Sequence, residues 1–291
     1  MLFYPKFLLK FYDRTLRQQK NHRKNYSLVV SRHCASITKT IYSLARDSSK
    51  SQAQVSIRNG EKTLPLSHGD QFAADLRGFG AIGILSILLI ILSGNIFITG
   101  IAFIPLGGIF ALAWKWRSKT PWSELGFVRP RSWISTLLAG VVLGIGFKLF
   151  LKSIVMPLLG APAINSSYHF LSGNKAMLPA AIFFMVIAGL SEETVFRGFL
   201  FERLSQFFGT SLRSKALIVL ISATLFGLGH LADQGLYGFE QAIIVGLIYG
   251  IFFARTGKIW VLIIAHATFD ITSVVIIYWN LESALAHFFF K

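Results

Sequence analysis

Apolar residues along this chain gather in long runs rather than at alternating positions, and the runs reach bilayer length. A transmembrane helix needs ~20 mainly apolar residues, because the hydrocarbon layer is roughly 30 Å thick and each residue rises 1.5 Å. Residues 79–114 are almost free of charge, and Gly94-Asn95 near their middle predicts two short spans joined by a tight turn. A polar loop over 115–131 follows, with five Lys/Arg and one Glu. A third span is predicted over 133–159, with Lys148 and Lys152 near its far end, placed to snorkel to the interface. Residues 160–175 read as a loop or shallow interfacial segment. The fourth span covers about 176–208, long enough to tilt or protrude. Further spans are predicted near 215–231, 237–254 and 259–279, before a short, partly amphipathic tail at 280–291. The fold class is therefore all-α, a polytopic transmembrane helical bundle of about seven spans. In lipid, helices satisfy their backbone groups within one segment, as open strands cannot.

Composition supports the same solvent. The 291 residues are 53% hydrophobic and only 14% charged, against the roughly 25% usual for soluble domains, and the mean hydropathy is +0.57. The net charge of +16 is asymmetric: residues 1–80 hold 14 Lys/Arg against 5 Asp/Glu, a local balance of +9. Positive charge beside apolar spans marks the cytoplasmic side and attraction to anionic head groups rather than a nucleic-acid partner. The predicted division is a basic, cytosolic and partly disordered extension over 1–78 and a transmembrane domain over 79–291. An integral protein of the cell inner or plasma membrane with a cytosolic N-terminus is expected. An organelle membrane is the second reading, because residues 14–46 are rich in Arg, Lys and Ser and contain no acid. Lys6 and Lys10 interrupt the apolar start, unlike the core of a secretory signal. Cys34 is the single cysteine. That excludes an intramolecular disulfide and a cysteine metal cluster, and it leaves any thiol nucleophile in the basic extension.

Ionisable groups at bilayer depth cost on the order of 2.5–3.5 kcal/mol each on insertion scales, so they face a protein interior or a wet cavity. Three clusters qualify. Ser191-Glu192-Glu193-Thr194-Val195-Phe196-Arg197 lies inside the fourth span. Glu193 and Arg197 are four apart with the acid first, the favourable direction for a helical ion pair that neutralises two charges. Glu192 points about 100° away and is predicted to lack a local cation, which leaves it free to act as a general base. Phe226-Gly227-Leu228-Gly229-His230 places Phe226 and His230 on one face. His266-Ala267-Thr268-Phe269-Asp270 puts an acid one turn from a histidine whose tautomer it can fix. Each has a bland counterpart: a hydrogen-bonded core histidine, a packing ion pair, a self-satisfied His–Asp pair. Three such clusters on separate spans weaken the bland reading together. His266 lies early in its span and His230 late, so the two meet only through tilt, a break or different helix starts.

The ordered set Glu-Glu-x-x-x-Arg, Phe-x-x-x-His, His-x-x-x-Asn/Asp on successive apolar helices resembles the CPBP family of CAAX proteases and bacteriocin-processing enzymes. Pro121-Trp122-Ser123-Glu124-Leu125-Gly126-Phe127 looks like the loop often found before it. The likeness covers roughly residues 120–280. It implies an intramembrane endopeptidase acting on membrane-associated peptides, with prenylated CAAX proteins as substrates of the eukaryotic relatives, and an active site on the last four spans. By this resemblance Glu192 and His230 activate water, His266 and residue 270 stabilise the oxyanion, and Glu193, Arg197 and Phe226 support the site. The best-studied members carry Asn where this chain has Asp270, and an ionised Asp cannot donate to an oxyanion. Asp270 is then protonated, orients His266, or helps hold a metal.

Metal-free hydrolysis is the expected chemistry, with no cofactor. A Zn²⁺ variant held by His230, His266 and Glu192 is the alternative, because the family was long called metalloproteases; the absence of a His-Glu-x-x-His motif counts against it. The expected partners are a peptide or protein substrate in the membrane and the lipid bilayer itself. A scaffold or immunity protein that binds a peptide without cutting it, and an ion or proton transporter, are the non-proteolytic rivals.

Overall fold

The computed structural model describes residues 67–93 and 104–290, and every regular element among them is a helix. The basic extension up to residue 66 and the Gly94-Asn95 turn lie outside the described residues. In chain order the helices are α1 (His68–Arg77), α2 (Ala81–Ser93), α3 (Ile104–Arg117), α4 (Trp133–Leu158), α5 (Leu178–Phe208), α6 (Leu212–Thr256), α7 (Trp260–Tyr278) and α8 (Glu282–Ala286). π-Helical turns interrupt α4 at Leu151–Val155 and α5 at Thr194–Phe199. Helices α4 to α7 are each long and apolar enough to cross a membrane. Helices α1 and α2 meet that test only as a pair bent by 59°. The described residues thus hold four or five candidate spans rather than seven. Helix α2 has 13 residues and α3 has 14, each reaching only ~20 Å at 1.5 Å per residue.

Part of the difference is α6, whose 45 residues would reach ~68 Å if straight, about twice the hydrocarbon thickness. It is not straight. Gly235 takes φ 66°, a left-handed conformation that glycine adopts without Cβ strain, and the chain doubles back there. Gly227 faces Ile243, Ala223 faces Gly246, and Val219 faces Gly250, a register that only two antiparallel legs produce. The legs correspond to the two spans expected near 215–231 and 237–254.

Helix α7 occupies the centre of the packing. Helix α4 presents Gly140, Gly144 and Lys148 on its buried face, while Ile134, Leu138 and Val142 stay exposed on the other. That outer stripe is what a lipid-facing helix requires, and the small residues allow close approach without side-chain interference. A Cβ at Gly144 would lie 2.0 Å from Thr268 Oγ1 and 2.3 Å from the Ala265 carbonyl oxygen. Helix α5 packs antiparallel on α7: Ala181 clusters with Val274 and Ile277 near one end, and Gly189 meets Ile263 and Ala267 near the other. At the far end of α5, buried Arg203 donates to Glu202 from Nε and Nη2, at 2.5 and 2.7 Å. It also reaches the Arg77 carbonyl and stacks over the Trp114 and Phe79 rings, tying α1 and α3 to α5.

Candidate active site

Residues 191–203 of α5 form an unbroken buried stretch, an environment that ordinarily excludes charge. Glu193 and Arg197 nevertheless sit there fully buried. Arg197 Nη1 donates to Glu193 Oε1 at 2.9 Å, as the four-residue spacing predicts. The guanidinium lies 4.8 Å from the Phe226 ring centroid and 5.7 Å from that of Tyr249, so aromatic faces supply part of what solvent would. The π turn begins immediately after Glu193. Such turns recur where a helix must aim several side chains at one site.

The second partner of Glu193 was not legible in the sequence. His266 Nδ1 lies 2.7 Å from Glu193 Oε1, so this one oxygen accepts from both Arg197 and His266. Because a carboxylate only accepts, the ring proton sits on Nδ1 and Nε2 is left to face the site. Glu192 Oε2 is 3.4 Å from that Nε2 and Asp270 Oδ2 is 3.5 Å from it. Glu192, predicted to lack a local cation, thus meets across helices a neighbour that can carry positive charge. Consecutive helical side chains diverge by about 100°, yet both glutamates reach the same imidazole because α7 enters the gap between them. Gly189 makes this room: a Cβ there would lie 2.8 Å from the Ala267 backbone nitrogen. His266 is oriented most closely by Glu193, not by Asp270.

His230 donates from Nδ1 to the Phe226 carbonyl at 2.9 Å, which leaves Nε2 as an acceptor. The Phe226 ring stands edge-on to His230, His266 and Phe196, with centroids 4.7, 5.7 and 5.1 Å apart. It is the packing element that joins the two histidines. The difference in depth reflects helix starts: eighteen residues of α6 precede His230, whereas six of α7 precede His266, an offset of about three turns.

Glu192, His230, His266 and Asp270 all line one cavity of about 330 Å³. Residues 161–171 contribute to its roof. This segment is held by Glu282, which accepts from the Asn165 N–H at 2.8 Å and lies 3.3 Å from His169 Nδ1. Ser167 Oγ adds a bond to the Asp233 carbonyl at 2.7 Å. Tyr168 faces the cavity from this roof. Burial, reinforced by the negative fields of Asp270, Asp233 and Glu192, pushes its phenol up to about 12, so it stays protonated at neutral pH. Lys148 points inward rather than snorkelling: its ammonium is buried, 3.3 Å from Gln241 Oε1 and 4.8 Å from the Phe269 centroid. Apolar residues of the segments around Lys148 and Gln241 hide these inward polar positions from a hydropathy pattern.

Among the described residues, no group of three or more His, Cys, Asp or Glu side chains is disposed to hold a metal ion. His266 Nδ1 and His230 Nδ1 already make hydrogen bonds.

Residues 174–272 match the family model described as type II CAAX prenyl endopeptidase, Rce1-like. The match spans Glu192, Glu193, Arg197, Phe226, His230, His266 and Asp270. No curated protein and no solved structure matches the chain.

Proposed function

Taking the chain as a CAAX-type protease of the CPBP family, we propose that it hydrolyses peptide bonds of membrane-associated substrates inside the α5–α6–α7 cavity. The observation that carries this reading is the convergence of Glu192, His230 and His266, from three helices, on one cavity. Glu192 is the general base and takes a proton from the attacking water, while His230 Nε2 accepts that water's second hydrogen bond and aims its oxygen. The oxygen attacks the scissile carbonyl carbon. His266, donating from Nδ1 to Glu193, in its imidazolium form donates from Nε2 to the oxyanion that develops. Collapse of the tetrahedral species breaks the C–N bond, and Glu192 returns its proton to the departing amine nitrogen. Glu193 and Arg197 hold His266 in place. Asp270, 3.5 Å from His266 Nε2, adds a charge that favours the imidazolium.

Prenylated CAAX-type peptides are the proposed substrates, entering from the bilayer in which α4 to α7 sit. The basic loops place the N-terminal extension in the cytosol on this reading. The test compares peptides released from membranes containing the wild-type protein with those from the Glu192→Gln form. Loss of the shortened product with normal accumulation of folded protein is expected. Unchanged product would sink the assignment, and product-free function retained by Glu192→Gln would favour the scaffold.

A further inference from the structure

Lys148 is not used by the proposed hydrolysis, yet it is a buried cation in the wall of the same cavity. Its side chain is more than nine-tenths buried, and its Nζ contacts a neutral amide oxygen and an aromatic face. Among the described residues it has no ion-pair partner. Lys152, one turn on, lies 4.0 Å from Glu282 and donates to the Ala163 carbonyl. The acidic groups whose fields reach Lys148 are Asp270 and Glu282. Asp270 approaches His266, and Glu282 is engaged by Lys152, Asn165 and His169. A buried ammonium left with only a neutral partner is costly, and a bound anion would offset that cost.

Gln241 fixes what kind of anion. A lysine only donates, so the amide oxygen of Gln241 must face Lys148 and its NH₂ group must point elsewhere. That NH₂ has no hydrogen-bond partner among the described residues, and Gln241 lines the cavity. The remaining ammonium N–H groups and the amide N–H groups thus form a station of donors alone. We propose that Lys148 and Gln241 bind a carboxylate of the substrate peptide and so set where along the peptide the chain is cut. The ligand's identity as a peptide rests on the proteolytic reading above. Gln241 lies two helical turns, ~12 Å, along α6 from Tyr249, whose ring centroid is 6.1 Å from that of His266. An extended peptide covers that separation with about three to four residues.

The experiment measures binding to the Glu192→Gln protein in lipid nanodiscs, so no turnover is needed. Three labelled prenylated peptides are compared: one with a free C-terminal carboxylate, its C-terminal amide, and an amide bearing an Asp side chain near the C-terminus. Roughly tenfold or tighter binding of a carboxylate peptide over the plain amide is expected, the size of one buried charge-assisted interaction. Lys148→Met should erase the preference, Lys148→Arg should keep part of it, and Gln241→Leu should reduce it. Gln241→Leu and Lys148→Arg carry the test if Lys148→Met does not fold. If the Asp-bearing amide binds as well as the free acid, a side-chain carboxylate occupies the station. If only the free acid binds well, the chain terminus does. Equal binding of all three peptides, or a preference that survives both Lys148→Met and Gln241→Leu, overturns the proposal. Failure of the proteolytic reading shows itself separately, as wild-type protein that binds the acid selectively but never shortens it.

Discussion

Glu193 Oε1 accepts hydrogen bonds from Arg197 Nη1 and His266 Nδ1 at once, at 2.9 and 2.7 Å, and so links an ion pair within one helix to the imidazole of another. A residue read as a helix-packing device is also the group that fixes a histidine's tautomer. The two roles have different consequences when the carboxylate is removed, because one concerns a stranded charge and the other an aimed nitrogen.

Glu193→Ala is expected to lower both stability and activity. It leaves Arg197 buried without its partner, a change that typically costs ~3–5 kcal/mol. Glu193→Gln keeps an acceptor for Arg197 and His266 and should restore much of the accumulation while leaving catalysis impaired. Thermal unfolding in detergent and peptide turnover, measured on the same preparations, separate the effects. Wild-type behaviour of Glu193→Ala in both assays would remove Glu193 from the site.

How much of this was legible beforehand depended on whether an interaction is local in sequence. The Glu193–Arg197 pair follows from four-residue spacing, and the apolar runs announce α4, α5 and α7 because span length is a one-dimensional property. The contact of both glutamates with His266 crosses 73 residues for Glu193 and was invisible. It depends on Gly189 letting α7 approach α5, which no periodicity reports. Lys148 was misread for a related reason. A lysine near the end of an apolar helix is ordinarily a snorkelling residue, and only the position of Gln241 on α6, 93 residues away, turns it inward.

Asp270→Asn tests whether a negative charge is needed beside His266. An amide at this position can donate to an oxyanion, whereas a carboxylate cannot. Activity is expected to stay within about tenfold of wild type, the range of one exposed-to-part-buried hydrogen bond. A loss of three orders of magnitude in kcat with normal folding would show that the charge itself is essential to the imidazolium.

Gly144→Val should prevent the packing of α4 on α7. The added Cβ meets the Ala265 carbonyl and Thr268 within 2.3 Å, and backbone cannot move aside as a flexible side chain can. Overpacking of this kind costs typically ~1–3 kcal/mol and sometimes more. A fall in melting temperature and in accumulated protein is the expected outcome. An unchanged melting temperature would mean that α4 is not seated on α7 as described.

Chelation provides a test that needs no substitution. Since no group of three or more His, Cys, Asp or Glu side chains among the described residues is disposed to hold a metal ion, incubation with a strong chelator is expected to leave turnover unchanged. Activity lost on chelation and recovered with added Zn²⁺ would require the side chains around His266 to rearrange and would replace the metal-free mechanism.

The roof of the cavity gives the last prediction. Glu282 is buried, and its two oxygens separately engage the Asn165 N–H and His169, with Lys152 4.0 Å away. Glu282→Ala removes both acceptors and leaves the Asn165 N–H without its partner and Lys152 without its carboxylate, so residues 161–171 lose their tie to α8. Limited proteolysis should then cut within this segment faster than in wild type, and KM should rise more than kcat falls, because the roof shapes the cavity but does not touch the reacting atoms. Glu282→Gln still offers one acceptor to Asn165 and should behave between the two. Equal protection of wild type and Glu282→Ala would show that the other ties of this segment, Ser167 to the Asp233 carbonyl and Lys152 to the Ala163 carbonyl among them, hold the roof without Glu282.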